Sequence, residues 1–125
     1  MANLPSMDHF EHERLDVYKT AIQLLAVSDQ VVDALTRGRS HLGEQLGRAS
    51  TSIVLNIAEG AGEFAAAEKA RFDRIARRSA TECAAILDVC GALRVADPMP
   101  LAAGRDLLLR IVAMLTKLVL NASAN

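Results

Sequence analysis

The stretch from Leu42 to Gly60, LGEQLGRASTSIVLNIAEG, decides the fold. Its apolar side chains recur at steps of three and four residues, the period of one face of an α-helix: Leu42, Leu46, Ala49, Ile53 and Ile57. Polar side chains follow the same period on the same segment: Arg48, Ser52, Asn56 and Glu59. Because polar groups on a packing face need hydrogen-bond partners, this amphipathic helix is predicted to carry either a polar network or a functional site.

The composition favours an all-helical protein. Of the 125 residues, 51% are hydrophobic, and the chain has no Trp and only three Pro. A chain of this length forms one domain around a single core. The formal charge of −1 gives no overall attraction to nucleic acid, so binding of that kind would need a local basic patch.

Hydrophobic periodicity and chain breakers predict four helices, at about residues 15–35, 40–60, 65–95 and 101–122. Gly38 suits the left-handed position after the first helix, and Ser40 can cap the second. Asp97 can cap the fourth helix, with Pro98 in its first turn. Short connections between four helices predict an all-α, antiparallel up-down-up-down bundle.

The predicted bundle occupies residues 13–122, between an N-terminal arm at 1–12 and a tail at 123–125. Phe10 is expected to dock the arm. No apolar run reaches the roughly 18 residues of a membrane span, and the N-terminal segment lacks the core of a secretion signal. Cys83 and Cys90, about 10 Å apart on one helix, are too distant for a disulfide and indicate a reducing compartment. We therefore expect a cytoplasmic protein without a membrane partner.

The apolar faces of the third and fourth helices carry further predictions. On the third helix, seven residues with heptad spacing predict a seam toward the core: Phe72, Ile75, Ser79, Glu82, Ile86, Val89 and Leu93. On the fourth, the predicted seam is Leu101, Leu108, Ile111, Leu115 and Leu118, and further apolar residues surround it on almost all sides. A bundle helix in a monomer keeps one polar face, so the fourth helix is predicted to pack against another subunit of a homo-oligomer.

Two interpretations of the polar set remain open. Its members are Arg48, Ser52, Asn56, Glu59, Ser79 and Glu82. In the structural interpretation, Arg48 pairs with a glutamate, Asn56 completes the remaining hydrogen bonds, and the network fixes helix register. In the catalytic alternative, Glu59 and Glu82 act as paired carboxylates. No histidine or paired nucleophile lies near the set in sequence, so the structural interpretation is favoured and no residue is assigned a catalytic role.

A basic stretch on the third helix is the best candidate for a contact with nucleic acid or a protein partner. It comprises Lys69, Arg71, Arg74, Arg77 and Arg78, and Arg37 and Arg39 of the first interhelical loop can extend it. Helical spacing places most of these arginines on one face, interrupted in sequence by Asp73. No aromatic residue alternates with the arginines, which argues against base stacking. The alternative is a solvated face, or arginines that bridge subunits.

The sequence predicts no metal or cofactor site. His9 and His12 have a spacing seen in metal sites, but they lie in the predicted arm without a nearby cysteine. A di-iron bundle would need Glu-x-x-His pairs on two helices, and the sequence contains none.

Three segments carry a family resemblance: LDVYKTA from Leu15, QLGRASTSIVLNIAEGAG from Gln45, and RFDRIARRSATE from Arg71. They resemble small bacterial proteins encoded in intervening sequences of large-subunit ribosomal RNA genes. That family includes the accessory variability protein of diversity-generating retroelements. The resemblance implies an antiparallel four-helix bundle, a ring-like homopentamer and no catalytic residues. It also implies RNA, DNA or a nucleic-acid-processing protein as a candidate partner.

The sequence departs from the family pattern after the second helix. Ala65 stands where members carry a capping Ser, and Glu63 replaces a basic residue. We expect the missing cap to cost the third helix about 1 kcal/mol.

The predicted function is a non-enzymatic, homo-oligomeric binding or scaffold protein whose arginines contact RNA or DNA. The alternative is a purely protein–protein scaffold, and an enzyme using Glu59 and Glu82 is the least favoured hypothesis.

Overall fold

The structure, a computed structural model, describes residues 8–35 and 38–123. It contains four long helices: α1 (Asp16–Ala34), α2 (Ser40–Ala61), α3 (Ala66–Leu93) and α4 (Pro98–Ser123). A 3₁₀ turn, Glu11–Arg14, precedes α1, and these two stretches contain no strand. The prediction of an all-α chain with four helices is confirmed.

The helices pack as a bundle in which each one contacts two neighbours. The contacting pairs are α1 with α2, α2 with α3, α3 with α4, and α4 with α1. Within the described residues, α1 does not contact α3, and α2 does not contact α4. The four helices therefore lie at the corners of a square in chain order, which places the α1–α2 side opposite the α3–α4 side.

Long aliphatic side chains fill the centre of the bundle. Leu24 of α1, Leu46 and Ile53 of α2, and Ile111 and Leu115 of α4 are fully buried. The predicted seam of α4 is confirmed at its centre, where Leu108 is buried beside Ile111 and Leu115. These side chains are part of a larger apolar core whose burial stabilises the fold.

The seam predicted on α3 coincides with the buried face of that helix only at Ile86. The buried face of that helix consists mainly of small side chains, at Ala70, Asp73, Ala76, Ala80, Cys83, Ile86, Leu87 and Cys90. Val89 and Leu93 of the predicted seam are 41% and 46% exposed. Small residues suit this face because α3 lies very close to α2: a Cβ on Gly60 of α2 would lie 3.0 Å from the Cβ of Phe72.

The helix ends agree only in part with the predicted caps. The Met99 amide donates to Asp97 Oδ1 at 3.1 Å, so Asp97 caps α4 as predicted, and Gly38 has the expected positive φ of 89°. Ser40 is the first residue of α2 and not its cap, because Arg39 holds that position. Arg94, at φ 56°, adopts the left-handed conformation that ends α3.

The segment before α1 is less buried than expected. Phe10 stacks on His12 with ring centroids 5.7 Å apart, yet it is 70% exposed and does not dock in the core. His12 in turn contacts the ring of Tyr18 at 4.6 Å. None of the helices in the described part of the chain has the length and hydropathy needed to span a bilayer.

Candidate nucleic-acid interface

Arg74 and Arg78 are the outward-facing cations of α3. Both side chains are exposed, and neither forms a hydrogen bond or ion pair with the described residues. With Arg71 they form one stripe, which we call the arginine face; it extends about 10 Å along the helix. Two of its three guanidinium groups are therefore free to meet an anionic partner.

The remaining basic residues of α3 have partners within the chain. Arg71 pairs with Glu68 at 3.1 Å and lies 4.4 Å above the ring of Phe72. Arg77 points toward α4, where its Nε donates to Thr116 Oγ1 at 2.8 Å. The basic stretch that looks continuous in sequence is thus divided among three directions, because a helix turns by about 100° per residue.

Lys69 lies at the end of α2. Its Nζ donates to the carbonyl oxygens of Gly60 at 3.5 Å and Ala61 at 3.1 Å. These carbonyls belong to the C-terminal turn of α2, where a positive charge is favourable. Lys69 therefore stabilises a helix end and does not join the arginine face.

Arg39, one of the two predicted loop arginines, adds little to the described surface. Arg39 is half-buried at the start of α2, and its main-chain carbonyl accepts from the amide of Leu42. Arg37 lies outside the described residues.

Asp73 does not interrupt the arginine face, because its side chain turns inward. It is 9% exposed, and its Oδ1 would lie 3.3 Å from a Cβ on Gly60. Desolvation by burial raises the pKa of Asp73 to about 6, and the positive charge of Lys69 offsets this only in part. The carboxylate nearest to the arginines in sequence is therefore separated from them by the body of the helix.

Five members of the predicted polar set meet where α2 packs against α3. Ser52 and Ser79 share a hydrogen bond of 2.9 Å, and the Asn56 amide donates to Ser52 Oγ at 3.1 Å. Arg48 pairs with Glu82 at 3.4 Å, but its side chain is 70% exposed. The set therefore connects two helices across a half-buried seam, and its ion pair lies at the surface.

The sixth member, Glu59, lies apart from the others. It is exposed, and its carboxylate contacts no polar group among the described residues. The Arg48–Glu82 and Ser52–Ser79 contacts set the alignment of α2 against α3, which puts Glu59 and Glu82 about 15 Å apart along the bundle. Two carboxylates at that distance cannot act together on one bond.

The other reactive side chains occupy isolated positions. Within the described stretches, no group of three or more His, Cys, Asp or Glu side chains has an arrangement that could hold a metal ion. Cys83 and Cys90 are buried in the core, and burial raises the pKa of Cys83 to about 12. Such a thiol is a packing group and not a nucleophile.

A groove between α1 and α2 is not among the features predicted from the sequence. Its volume is about 560 Å³; Ile22, Leu25 and Val32 of α1 line it on one side, and Gly43 and Gly47 of α2 on the other. The sequence contains a signal for this groove, since Gly43 and Gly47, four residues apart, leave one face of α2 without side chains at these positions.

Comparison with known protein families gives one match over most of the chain. Residues 13–117 match the family described as "23S rRNA-intervening sequence protein". That description names a ribosomal RNA and no enzymatic activity. No curated protein matches the chain. Because the match covers most of the bundle, the chain belongs to the family of 23S rRNA-intervening sequence proteins.

Proposed function

We propose that this protein is a non-enzymatic, homo-oligomeric binding subunit of the cytoplasm whose arginine face contacts RNA or DNA. The observation that carries the proposal is the exposure of Arg74 and Arg78 without partners among the described residues. Arginines in this state bind phosphate oxygens through bidentate hydrogen bonds and release the condensed counterions of the nucleic acid. The absence of aromatic residues from the stripe favours contacts with the backbone over contacts with bases.

The proposed assembly is a ring, with five copies as the favoured number. Two exposed arginines provide weak binding alone, but a ring repeats them around its circumference and multiplies the effective affinity. Exposed apolar residues on α4 support association, because Leu109 and Leu120 are 58% and 63% exposed. Both are large aliphatic side chains that a second subunit could cover.

Within each subunit we propose an antiparallel, up-down-up-down order of helices. Contacts between α3 and α4 support it: Arg77 meets Thr116, whereas Asp88, farther along α3, lies 4.0 Å from Arg105. Residue numbers thus rise along α3 as they fall along α4.

A protein–protein scaffold without nucleic-acid binding is the second candidate. It is favoured by the formal charge of −1, which gives the whole chain no attraction to a polyanion. In this case Arg74 and Arg78 would pair with acidic residues of another protein.

Charge reversal at Arg74 and Arg78 distinguishes the nucleic-acid role from the protein–protein scaffold. Arg74→Glu/Arg78→Glu should weaken binding to fluorescent duplex DNA or structured RNA at least about tenfold at low salt. It should also reduce the slope of log affinity against log salt by about 1 for each phosphate that the variant no longer binds. Arg14→Glu/Lys19→Glu makes the same change of charge at exposed positions outside the arginine face and should bind like the unaltered protein. Equal binding by both double variants would refute a nucleic-acid role for the arginine face.

A further inference from the structure

The groove between α1 and α2 has no partner among the described residues. Ile22 is 41% exposed at its edge, and Leu25 and Val32 are only half-buried. On α2, Gly47 adds no side chain to the opposite wall, which leaves a space of about 560 Å³. Nothing within 4 Å would meet a Cβ on Gly47, so this space is available to a side chain from outside.

An exposed apolar stripe on α4, which we call the ridge, offers side chains that could enter the groove. It consists of Leu109, Ala113 and Leu120, all exposed and spaced by four and seven residues on one face of the helix. Thr116 lies on the same stripe and accepts a hydrogen bond from Arg77 of α3. This contact places the ridge on the α3–α4 side of the square, opposite the groove.

The charges of the two surfaces are complementary. On α1, Asp16, Asp29 and Asp33 outnumber Lys19, and Asp29 lines the groove itself. On α4 the balance is reversed, since Arg105, Arg110 and Lys117 outnumber Asp106. Opposite charges beside two apolar surfaces orient their encounter and disfavour contact between like surfaces.

We infer that the occupant of the groove is the α4 ridge of a second copy of this chain. The inference rests on the homo-oligomer proposed above and specifies its interface. Because the groove and the ridge lie on opposite sides of the bundle, each copy presents a groove to one neighbour and a ridge to the other. Such a head-to-tail contact closes into a ring when the rotation between copies permits. It cannot form a two-fold dimer that satisfies both surfaces.

Gly47→Leu tests the inference by filling the groove. Its side chain enters open space, and Leu is a better helix former than Gly, so the fold itself should become no less resistant to heat. Light scattering should show that the oligomer has dissociated and that a single chain remains. Gln45→Leu adds the same side chain at an exposed position two residues earlier on α2 and should leave the oligomer intact.

A mixing experiment tests the head-to-tail arrangement. Leu109→Gln/Leu120→Gln removes the ridge and should also give single chains. Mixed in equal amounts, the groove-filled and ridge-deficient variants should form a one-to-one dimer, since one supplies the intact ridge and the other the intact groove. Failure of the mixture to associate would overturn the head-to-tail interface.

The outcomes distinguish this inference from the assembly on which it rests. A monomeric unaltered protein would refute the homo-oligomer and with it the interface. An oligomeric unaltered protein whose Gly47→Leu variant keeps the same mass would refute only the groove as the interface, and would leave the oligomer in place.

Discussion

Asp73 lies in a buried environment that disfavours its charged form. Burial raises its pKa to about 6 from the ordinary value of 3.8, so the folded protein retains this proton at a pH where the unfolded chain has released it. The contribution of Asp73 to stability is therefore greatest below about pH 4 and is lost as pH rises to about 6. The full change corresponds to about 3 kcal/mol.

Replacement of this carboxyl gives the first prediction. Asp73→Asn keeps the shape of the side chain and removes its ionisation. Urea unfolding at several pH values should show the variant gaining stability relative to the unaltered protein between pH 4 and 6, with a constant difference above. The comparison cancels the other carboxyl groups, so a difference that does not change with pH would contradict an elevated pKa for Asp73.

Ala65 gives a second prediction at the scale of a single residue. It occupies the N-cap position of α3 in an extended conformation, and its side chain cannot satisfy the free amides of the first turn. Ala65→Ser should raise the free energy of unfolding by about 1 kcal/mol in urea titrations. Ala67→Ser, inside the first turn, provides a control that should bring no such gain. Equal effects of the two substitutions would show that the first turn of α3 does not need this cap.

At the scale of the helices, Gly60 sets how closely α2 approaches α3. A Cβ there would lie 3.0 Å from Phe72 Cβ and 3.3 Å from the Lys69 carbonyl oxygen, both fixed to the backbone of α3. Gly60→Ala should therefore destabilise the fold by about 1–2 kcal/mol despite its better helix propensity. At Gly91 a Cβ would meet only Leu101 at 3.8 Å, so Gly91→Ala should stabilise by up to about 1 kcal/mol. Thermal or urea unfolding that gave both variants the same sign would contradict this account of the α2–α3 contact.

Periodicity predicted the helices because their breakers and long aliphatic residues are unambiguous. Gly38, Asp97 and Pro98 mark two connections, and Leu108, Ile111 and Leu115 identify the buried face of α4. The face of α3 could not be predicted in this way. Its core positions are largely alanines and cysteines, whose weak hydrophobic signal is exceeded by that of larger residues beside them. Their burial depends on how near the neighbouring helices come, which is a property of the assembled bundle.

The sequence predicted the position of the basic stretch but not which of its side chains would have partners. The sequence identified the basic stretch of α3, yet the partners of Lys69 and Arg77 depend on residues that the fold brings near. Lys69 meets the end of α2, and Arg77 meets Thr116, which is 39 residues away in sequence. Among the members of the basic set that the structure describes, only Arg74 and Arg78 are exposed without a partner.

At the scale of the whole molecule, the proposed nucleic-acid binding depends on the proposed assembly. In the proposed assembly each subunit would contribute few phosphate contacts, so the affinity would depend on how many arginine faces meet one nucleic acid. The monomeric Gly47→Leu variant keeps Arg74 and Arg78, yet it should bind a long duplex at least about tenfold more weakly than the oligomer does. Titrations with a duplex too short to meet two subunits should reduce the difference. Equal affinity of the monomer and the oligomer for the long duplex would show that multivalency makes no contribution.

The most direct test is a salt titration of the purified protein with fluorescent structured RNA and duplex DNA, with light scattering on the same samples. We expect an oligomer that binds both at micromolar concentration or below, with an affinity that falls steeply as salt increases. An oligomer that binds neither at low salt would contradict the nucleic-acid role and would favour the protein scaffold. A single chain in solution would contradict the assembly on which the repeated arginine face depends.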